Sequence, residues 1–279
     1  DEYITLVAMG TIADVMMLTG ENRLITDIGM RKLAMTSNVG LRALMRHCTA
    51  DGREKRGIST STVSFMLAPR INAAGRLGKA ELAARLFLTG DANEADMLAE
   101  KLCEMNRERQ AMENDIYEEA VAELEESFDT KRDKVIVLWH EDWHHGVIGI
   151  VASRLADKYF VPSILISLDE DEGKGSGRSI QGFNLFEALS QCGSLLTKYG
   201  GHELAAGLTV PKSNLLELRK ALSEYTREFI SDDCVPIIEA DCEVDPALLT
   251  LEAVEELSKL EPYGMGNPQP VLVIKEAKI

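Results

Sequence analysis

From about Asp91 to Phe128 the chain runs without glycine or proline, and apolar residues recur at helical spacing: Leu98, Leu102, Met105, Met112, Ile116, Val121 and Leu124. Asp91, with Glu94 three residues on, reads as a capping box that opens the run. At roughly 1.5 Å per residue, about 36 residues make a rod of roughly 55 Å. That exceeds what one small domain needs, so the segment is expected to bridge two lobes. A coiled-coil arm would need an unbroken apolar seam, and Asn106, Arg109 and Glu113 interrupt it.

Before the rod, Asp1 to Ala8 reads as a strand. Leu6 to Met9 is a short apolar run of the buried parallel kind, ending at Gly10. Asp14 is then expected just past the strand's carboxyl end, where open α/β sheets bind ligands. Helices are expected from Thr19 to Arg31 and from Val39 to Cys48, with a polar stretch through Gly57. After the rod, strands and helices alternate. Strands are expected at Lys134 to Trp139, Ser163 to Leu168, Gly175 to Ile180 and Leu208 to Val210. Helices are expected at Val147 to Tyr159, Asn184 to Lys198 (Asn184 and Glu187 forming a capping box), and Asn214 to about Ile230. This pattern is an α/β domain. A further unit starts near Val235 with a strand, followed by a helix start at Asp245-Pro246 and a strand from Val271 to Ile274. Domain boundaries are placed at 1–60, 61–130, 131–232 and 233–279.

The 279 residues, 45% hydrophobic, suffice for full cores, and a net charge of −16 argues against a uniformly basic nucleic-acid binder. The distribution matters more than the sum. Ser61 to Arg85 carries Arg70, Arg76, Lys79 and Arg85 against Glu81 alone, whereas the acids concentrate between Ala111 and Phe128. The cysteines Cys48, Cys103, Cys192, Cys234 and Cys242 are odd in number and form no C-x-x-C pair. They read as reduced thiols of a cytoplasmic protein. No apolar run approaches the roughly 20 residues of a membrane span, and no membrane partner is expected.

Three small-residue segments carry the chemistry. Gly-Ser-Gly-Arg-Ser (Gly175 to Ser179) and Gly-Gly-His-x-x-Ala-Ala-Gly (Gly200 to Gly207) lie close together, and Arg70-Ile-Asn-Ala-Ala-Gly-Arg76 lies upstream. Read as loops, they make a phosphate pocket. Glycines admit an anion to the backbone N–H groups, and arginine supplies a forked charge. Aromatics are only 5% of the chain, which favours a sequence-independent grip on phosphates over base stacking.

These residues resemble a known family. Leu-Val-Ala-Met-Gly-Thr-Ile-Ala-Asp14, Pro69-Arg-Ile-Asn-Ala-Ala-Gly-Arg76, Trp143-His-His-Gly-Val-Ile-Gly, Gly175-Ser-Gly-Arg-Ser, Gly200-Gly-His and Leu260-Glu-Pro-Tyr-Gly-Met-Gly-Asn-Pro268 are similar, in order, to the motifs of RecJ-type exonucleases of the DHH phosphoesterase superfamily. The resemblance implies an α/β fold. Its parts are the C-terminal remnant of a parallel-sheet DHH domain, a long bridging helix, a second α/β DHH-associated domain and the start of an oligonucleotide-binding β-barrel. It implies a single-strand-specific 5′-to-3′ DNA exonuclease of repair and recombination, with Mn²⁺ or Mg²⁺ activating a water for in-line attack. Residue by residue, it implies Asp14 as catalytic metal ligand. Ser176 and Arg178 would hold the 5′-terminal phosphate, His202 with Gly200 and Gly201 would line the same nucleic-acid- and phosphate-binding cleft, and Arg70, Asn72 and Arg76 would touch the strand's backbone. Asp14 and this cradle are expected to share a cleft. Single-stranded DNA is the implied partner, alongside a single-strand-binding protein or a helicase.

The family's earlier metal motifs, an Asp-x-Asp near the start and the Asp-His-His itself, are absent from this sequence. The chain is therefore expected to be a fragment that begins inside the catalytic domain, inactive alone and holding no metal by itself. After Trp143, His144 is expected to be a polar loop residue and His145-Gly146 to begin the following helix, with no zinc site. Two rival readings are a nanoRNase-type phosphodiesterase, which should lack the long helix and the barrel, and a non-catalytic nucleic-acid-binding module.

Overall fold

In the computed structural model, which describes residues 3–49, 58–129, 132–230 and 237–275, the first apolar run is a helix, α1 (Ile4–Ala13). The expected strand is corrected here. A short apolar run does not distinguish strand from helix, and α1 is apolar on all sides, so no period betrays it. α1 packs against α2 (Gly20–Leu33), where Gly29 lies so close that a Cβ would sit 2.3 Å from that of Ala8. α3 (Val39–Thr49) is capped by Asn38, whose Oδ1 accepts the Leu41 N–H at 2.8 Å. The polar stretch through Gly57 lies largely outside the described residues.

α4 (Thr60–Thr62) leads through a wide helical turn, Val63–Leu67, into α5 (Ala68–Arg76) and then α6 (Ala80–Leu88). The Arg70 to Arg76 segment is thus helical, a second correction. Pro69 occupies the first turn, where its missing N–H costs nothing, and Ala73 and Ala74 are fully buried. The rod is α7 (Ala92–Ser127), 36 residues long. Asp91 Oδ1 accepts the N–H groups of Asn93 at 2.7 Å and Glu94 at 3.1 Å. Glu94 turns its carboxylate to Arg85 and Thr89, and Thr89 Oγ1 accepts the Asp91 N–H in its place. Residues 1–106 and 237–279 form one unit and 107–236 another, so α7 serves both. Its Leu98, Leu102 and Met105 join Leu33, Leu44, Leu67 and Leu86 in the first core.

The second unit is built on a sheet. Its elements in order are β1 (Ile136–His140), α8 (Ile148–Tyr159), β2 (Ser163–Asp169), β3 (Glu172–Arg178), α9 (Leu185–Gln191), β4 (Lys198–His202), β5 (Ala205–Pro211) and α10 (Leu215–Phe229). The strands lie in the order β1-β2-β3-β5-β4. β1 and β2 are parallel across the α8 crossover, and every other pair is antiparallel. On one side Ile164, Ile166, Leu208 and Val210 pack on Leu185, Leu189, Leu218 and Leu222 of α9 and α10. On the other, Ile136, Leu138 and Leu165 pack on Val151 and Leu155 of α8 and on Ile116, Ala120 and Leu124 of α7. Asn184 caps α9 as its spacing indicates, accepting the Glu187 N–H at 3.1 Å, but the helix stops at Gln191, well short of Lys198. The Gly-Gly-His segment is strand, not loop.

A tight turn fixes the start of α8. The His144 carbonyl accepts the N–H groups of Val147 at 2.9 Å and Ile148 at 3.1 Å, and its Nδ1 accepts that of Gly146 at 3.1 Å. His144 lies in a turn as expected, but the helix begins at Ile148 and not at His145-Gly146, because those residues are taken up by the turn itself. Burial, and then the neighbouring His145 ring stacked at 5.2 Å, hold His144 below the usual histidine range. Beyond α10 come β6 (Cys242–Glu243), α11 (Leu251–Leu257) and β7 (Leu272–Val273), with β6 and β7 paired in parallel. The expected strand near Val235 falls partly outside the described residues; the Asp245-Pro246 signal gives a single 3₁₀ turn. This segment joins the first unit through the Leu18 N–H, which donates to the Met265 carbonyl at 2.6 Å, and Arg23 Nη2, which donates to that of Leu260 at 2.8 Å. No helix among the described residues is long and apolar enough to cross a membrane.

Two outcomes follow from this packing. A Cβ on Gly175 would lie 2.8 Å from Leu208 Cγ and 3.1 Å from Ile166 Cγ1, whereas one on Gly200 would meet nothing within 4 Å. Gly175→Ala should therefore lower the free energy of urea unfolding by about 1–3 kcal/mol, with Gly200→Ala within about 0.5 kcal/mol of the parent. His144 favours its neutral form in the fold, so as pH falls the unfolded chain takes up a proton there before the folded one does. Stability should drop with falling pH around the ordinary histidine range. His144→Gln should remove that part of the slope, read as the difference between parent and variant in unfolding midpoint from about pH 8 to about pH 5.5.

Candidate nucleic-acid interface

In a strand successive side chains point to opposite faces, and the register of the second unit's sheet decides which residues share one. Three rows run across it: Ser163, Arg178, Ala205 and His202; Leu165, Ser176, Gly207 and Gly200; Ser167, Lys174, Thr209 and Lys198. Adjacent rows are about 7 Å apart along the strand. The other face of β3 carries Gly173, Gly175 and Gly177, each against apolar side chains of the core. The sequence Lys174-Gly-Ser176-Gly-Arg178 thus alternates a polar side chain with none. Glycine lets Leu208, Ile166, Ile164 and Leu185 close over one face of β3. The opposite face collects Lys174, Ser176 and Arg178.

Arg178 Nη1 donates to Ser176 Oγ at 3.2 Å and to the Gly177 carbonyl at 2.8 Å, which lays the guanidinium along β3. Over this pair sits Gly149, in the first turn of α8. A Cβ there would lie 2.7 Å from Ser176 Oγ and 3.2 Å from Arg178 Nη2. Two strands away, His202 Nδ1 accepts the Leu204 N–H at 3.3 Å, which leaves Nε2 as the donor of the neutral ring. β4 is exposed along its length. Lys174 and Lys198 are exposed and enter no ion pair among the described residues. No carboxylate lies in the three rows. In a chain of net charge −16, this is a locally cationic surface with two glycines, Gly200 and Gly207, leaving its middle row low.

Of the expected phosphate-holding residues, Ser176, Arg178, Gly200 and His202 therefore share one face. Gly201 belongs to the other face and has a different task. Its φ is 150°, and a Cβ would lie 2.3 Å from the Ala205 carbonyl oxygen, so it permits the tight β4–β5 hairpin. Gly149, Lys174 and Lys198 were not singled out from the sequence. The strict alternation of Lys174 to Arg178 was the available signal. The two aromatics nearest the motifs are turned away: Tyr199 packs with Phe186 at 6.0 Å and Phe183 with Tyr225 at 6.3 Å.

In the first unit Asp14 is the exposed C-cap of α1, its N–H donating to the Gly10 carbonyl at 2.9 Å. Asn72 on α5 lines a largely apolar cavity of about 310 Å³ together with Gly10 and Ala13, so it shares a pocket with the last turn before Asp14. Arg76 ends α5 and is half-buried. Arg70 is turned inward, with Nη1 donating to the Met66 carbonyl at 2.6 Å and Nε to Cys103 Sγ at 3.3 Å. No group of three or more His, Cys, Asp or Glu side chains suited to a metal ion occurs among the described residues. A lone exposed carboxylate does not fit a two-ion centre, which needs several oxygens per ion.

The DHHA1 domain family matches residues 132–228, the unit that bears this face, and the RecJ OB domain family matches 240–279. The single-stranded-DNA-specific exonuclease RecJ of Bacillus subtilis is 39% identical over 99% of this chain, and that of Thermus thermophilus is 37% identical over 98%. The matched regions are 35% and 38% of those proteins, so the chain spans little more than a third of their length. Among solved structures, RecJ from Thermus thermophilus in complex with Mn²⁺ superposes with a TM-score of 0.87 at 38% identity, covering 98% of this chain and 40% of that one. The Mg²⁺ complex gives 0.86, covering 96% and 41%. The chain thus carries a DHHA1 domain and a RecJ OB domain and is similar to RecJ exonucleases along nearly its whole length.

Proposed function

We propose that this chain is the strand-gripping part of a metal-dependent, single-strand-specific 5′-to-3′ DNA exonuclease, and that the cationic sheet face of its second unit holds the 5′-terminal phosphate. The observation that carries this reading is the Ser176–Arg178 pair beneath Gly149. A guanidinium fork, a hydroxyl and a nearby imidazole N–H are the donors a terminal phosphate takes, and glycine at 149, 200 and 207 leaves room for its oxygens. A terminal phosphate carries more charge than an internal phosphodiester, so the same donors favour a phosphorylated end. With no Phe, Tyr or Trp in the three rows, binding is led by phosphates, tolerant of base sequence and steeply weakened by salt. Lys174 and Lys198, one row further on, extend the positive potential away from Arg178.

Hydrolysis is a separate matter. The Thermus relative has been solved with Mn²⁺ and with Mg²⁺. Asp14 is a carboxylate at the negative end of a helix dipole, a position that attracts cations. Alone it does not make a two-ion centre, and the chain's own contribution is to bind and orient the strand. A RecJ OB domain and a 36-residue helix favour the exonuclease over a nanoRNase-type enzyme, which would need neither. The cytoplasm, with a single-strand-binding protein or a helicase to present strands, is the fitting setting.

The test compares binding of single-stranded oligonucleotides with a 5′-phosphate and a 5′-hydroxyl. Arg178→Ala should weaken the preference for the phosphate by about 1.5–3 kcal/mol, and Arg178→Lys should restore it only in part, since the fork is lost. Gly149→Ala should act in the same direction by displacing Ser176 and Arg178, with the circular dichroism of the parent retained. Equal treatment of both ends by the parent chain would overturn the assignment, as would an unchanged preference in Arg178→Ala.

A further inference from the structure

The first unit holds a second cluster, built around two buried cysteines and Arg70. Cys103 of α7 and Cys48 of α3 are both buried, at 6% and 5% exposure; the Cys48 thiol donates to Cys103 Sγ, and both sulfurs meet the contact between Arg70 and the Met66 carbonyl. Arg70 Nε donates to Cys103 Sγ at 3.3 Å, while its Nη1 is tied to the Met66 carbonyl at 2.6 Å. Cys48 Sγ lies 3.9 Å from that same carbonyl oxygen. One residue before Cys48, His47 Nε2 lies 3.0 Å from Asp96 Oδ1, which also accepts from Arg46 Nη2 at 3.1 Å.

Every polar neighbour of Cys103 acts on it as on an anion. The hydrogen bond from Cys48, and then Arg70, bring its thiol down to about 6 although burial opposes the charge. The same hydrogen bond, with burial, pushes Cys48 far up. The two sulfurs are therefore unlike: Cys103 is held toward the thiolate beside a guanidinium, and Cys48 is held protonated. That is the pairing of an attacking and a resolving cysteine. Cys192, by contrast, is raised by burial alone.

We propose that Cys103 and Cys48 form an oxidisable pair in which hydrogen peroxide converts them reversibly to a disulfide. The Cys103 thiolate attacks one peroxide oxygen, an S–O bond forms as the O–O bond breaks, and the departing hydroxide takes a proton from solvent to leave as water. Cys48 Sγ then attacks Cys103 Sγ, the S–S bond forms as the S–O bond breaks, and the Cys48 proton leaves with the hydroxyl as a second water. Two electrons from the sulfurs reduce one peroxide to two waters, and a dithiol reverses the change by exchange. Oxidation removes the anion that Arg70 Nε holds, leaving that guanidinium tied to Met66 alone among these contacts. The proposal stands on first-unit geometry and is independent of the strand-binding reading.

The full chain, reduced and then treated with hydrogen peroxide at neutral pH, is alkylated and digested for mass spectrometry. The expected product is a Cys48–Cys103 cross-linked peptide that disappears with dithiothreitol. Before oxidation, Cys103 should be alkylated by iodoacetamide about tenfold or more faster than Cys192, the advantage of a thiolate over a buried thiol. In Cys48→Ser, dimedone should trap a sulfenic acid on Cys103; in Cys103→Ser, Cys48 should stay alkylatable after peroxide. Because the cross-link is sought in the unsubstituted chain, the test does not depend on either variant folding. Full alkylation of both cysteines after peroxide, or a disulfide that joins either one to Cys192, Cys234 or Cys242, would overturn the proposal.

Discussion

The second unit depends on the pleat of one strand. In β3 glycine alternates with Lys174, Ser176 and Arg178, and each kind serves its own face. Where the strand meets the core formed with α9 and α10, Leu208, Ile166, Ile164 and Leu185 come so close that no Cβ could be accommodated without repacking. The same alternation turns the three polar side chains together onto the opposite face, and the register brings His202 and Lys198 from β4 onto it. Packing and function are thus two consequences of one period-two pattern. A slip of one residue would bury Arg178 and expose the glycines.

Closing that face on its β1–β2 side is α8. Its first turn is set by the His144 carbonyl, and Gly149 lets the turn rest on Ser176 and Arg178. The orientation of the arginine fork is therefore fixed by a helix start well upstream in sequence, through contact and not through chain connectivity. In the first unit, arginine is used in the opposite way. Arg70 is engaged internally by Met66 and Cys103, so a basic residue in a motif there holds a thiolate in place of presenting charge to solvent.

Much of this was legible in the residues. The α7 rod was, because 36 residues without glycine or proline and with a steady apolar period leave few alternatives. The β1-α8-β2 crossover and the Asn184 cap were, since each rests on a local signal with one ready interpretation. The first helix was not: Ile4, Thr5 and Val7 favour strand, and with apolar residues on every side α1 offers no period. Glycine misled at the Gly-Gly-His segment, which read as a loop on composition but is strand, with Gly201 answering to the close Ala205 carbonyl; Gly175 to Ile180 was read both as loop and as strand, and strand is what forms. Within the candidate site, Ser176, Arg178, Gly200 and His202 could be found as motif residues. Lys174 and Lys198 could not, and Gly149, though it ends a quoted motif, had no assigned role, since their place on the face follows only from the pairing register and the seat of α8.

The central claim is that one sheet face, defined by that register, meets the phosphates of a single strand. Lysine acetylation followed by mass spectrometry, with and without a 5′-phosphorylated oligonucleotide at low salt, tests it most directly. The account predicts slowed modification at Lys174 and Lys198, with Lys220 of α10, on the helical side of the sheet, modified at an unchanged rate. Unchanged rates at Lys174 and Lys198 when the oligonucleotide is bound would contradict it.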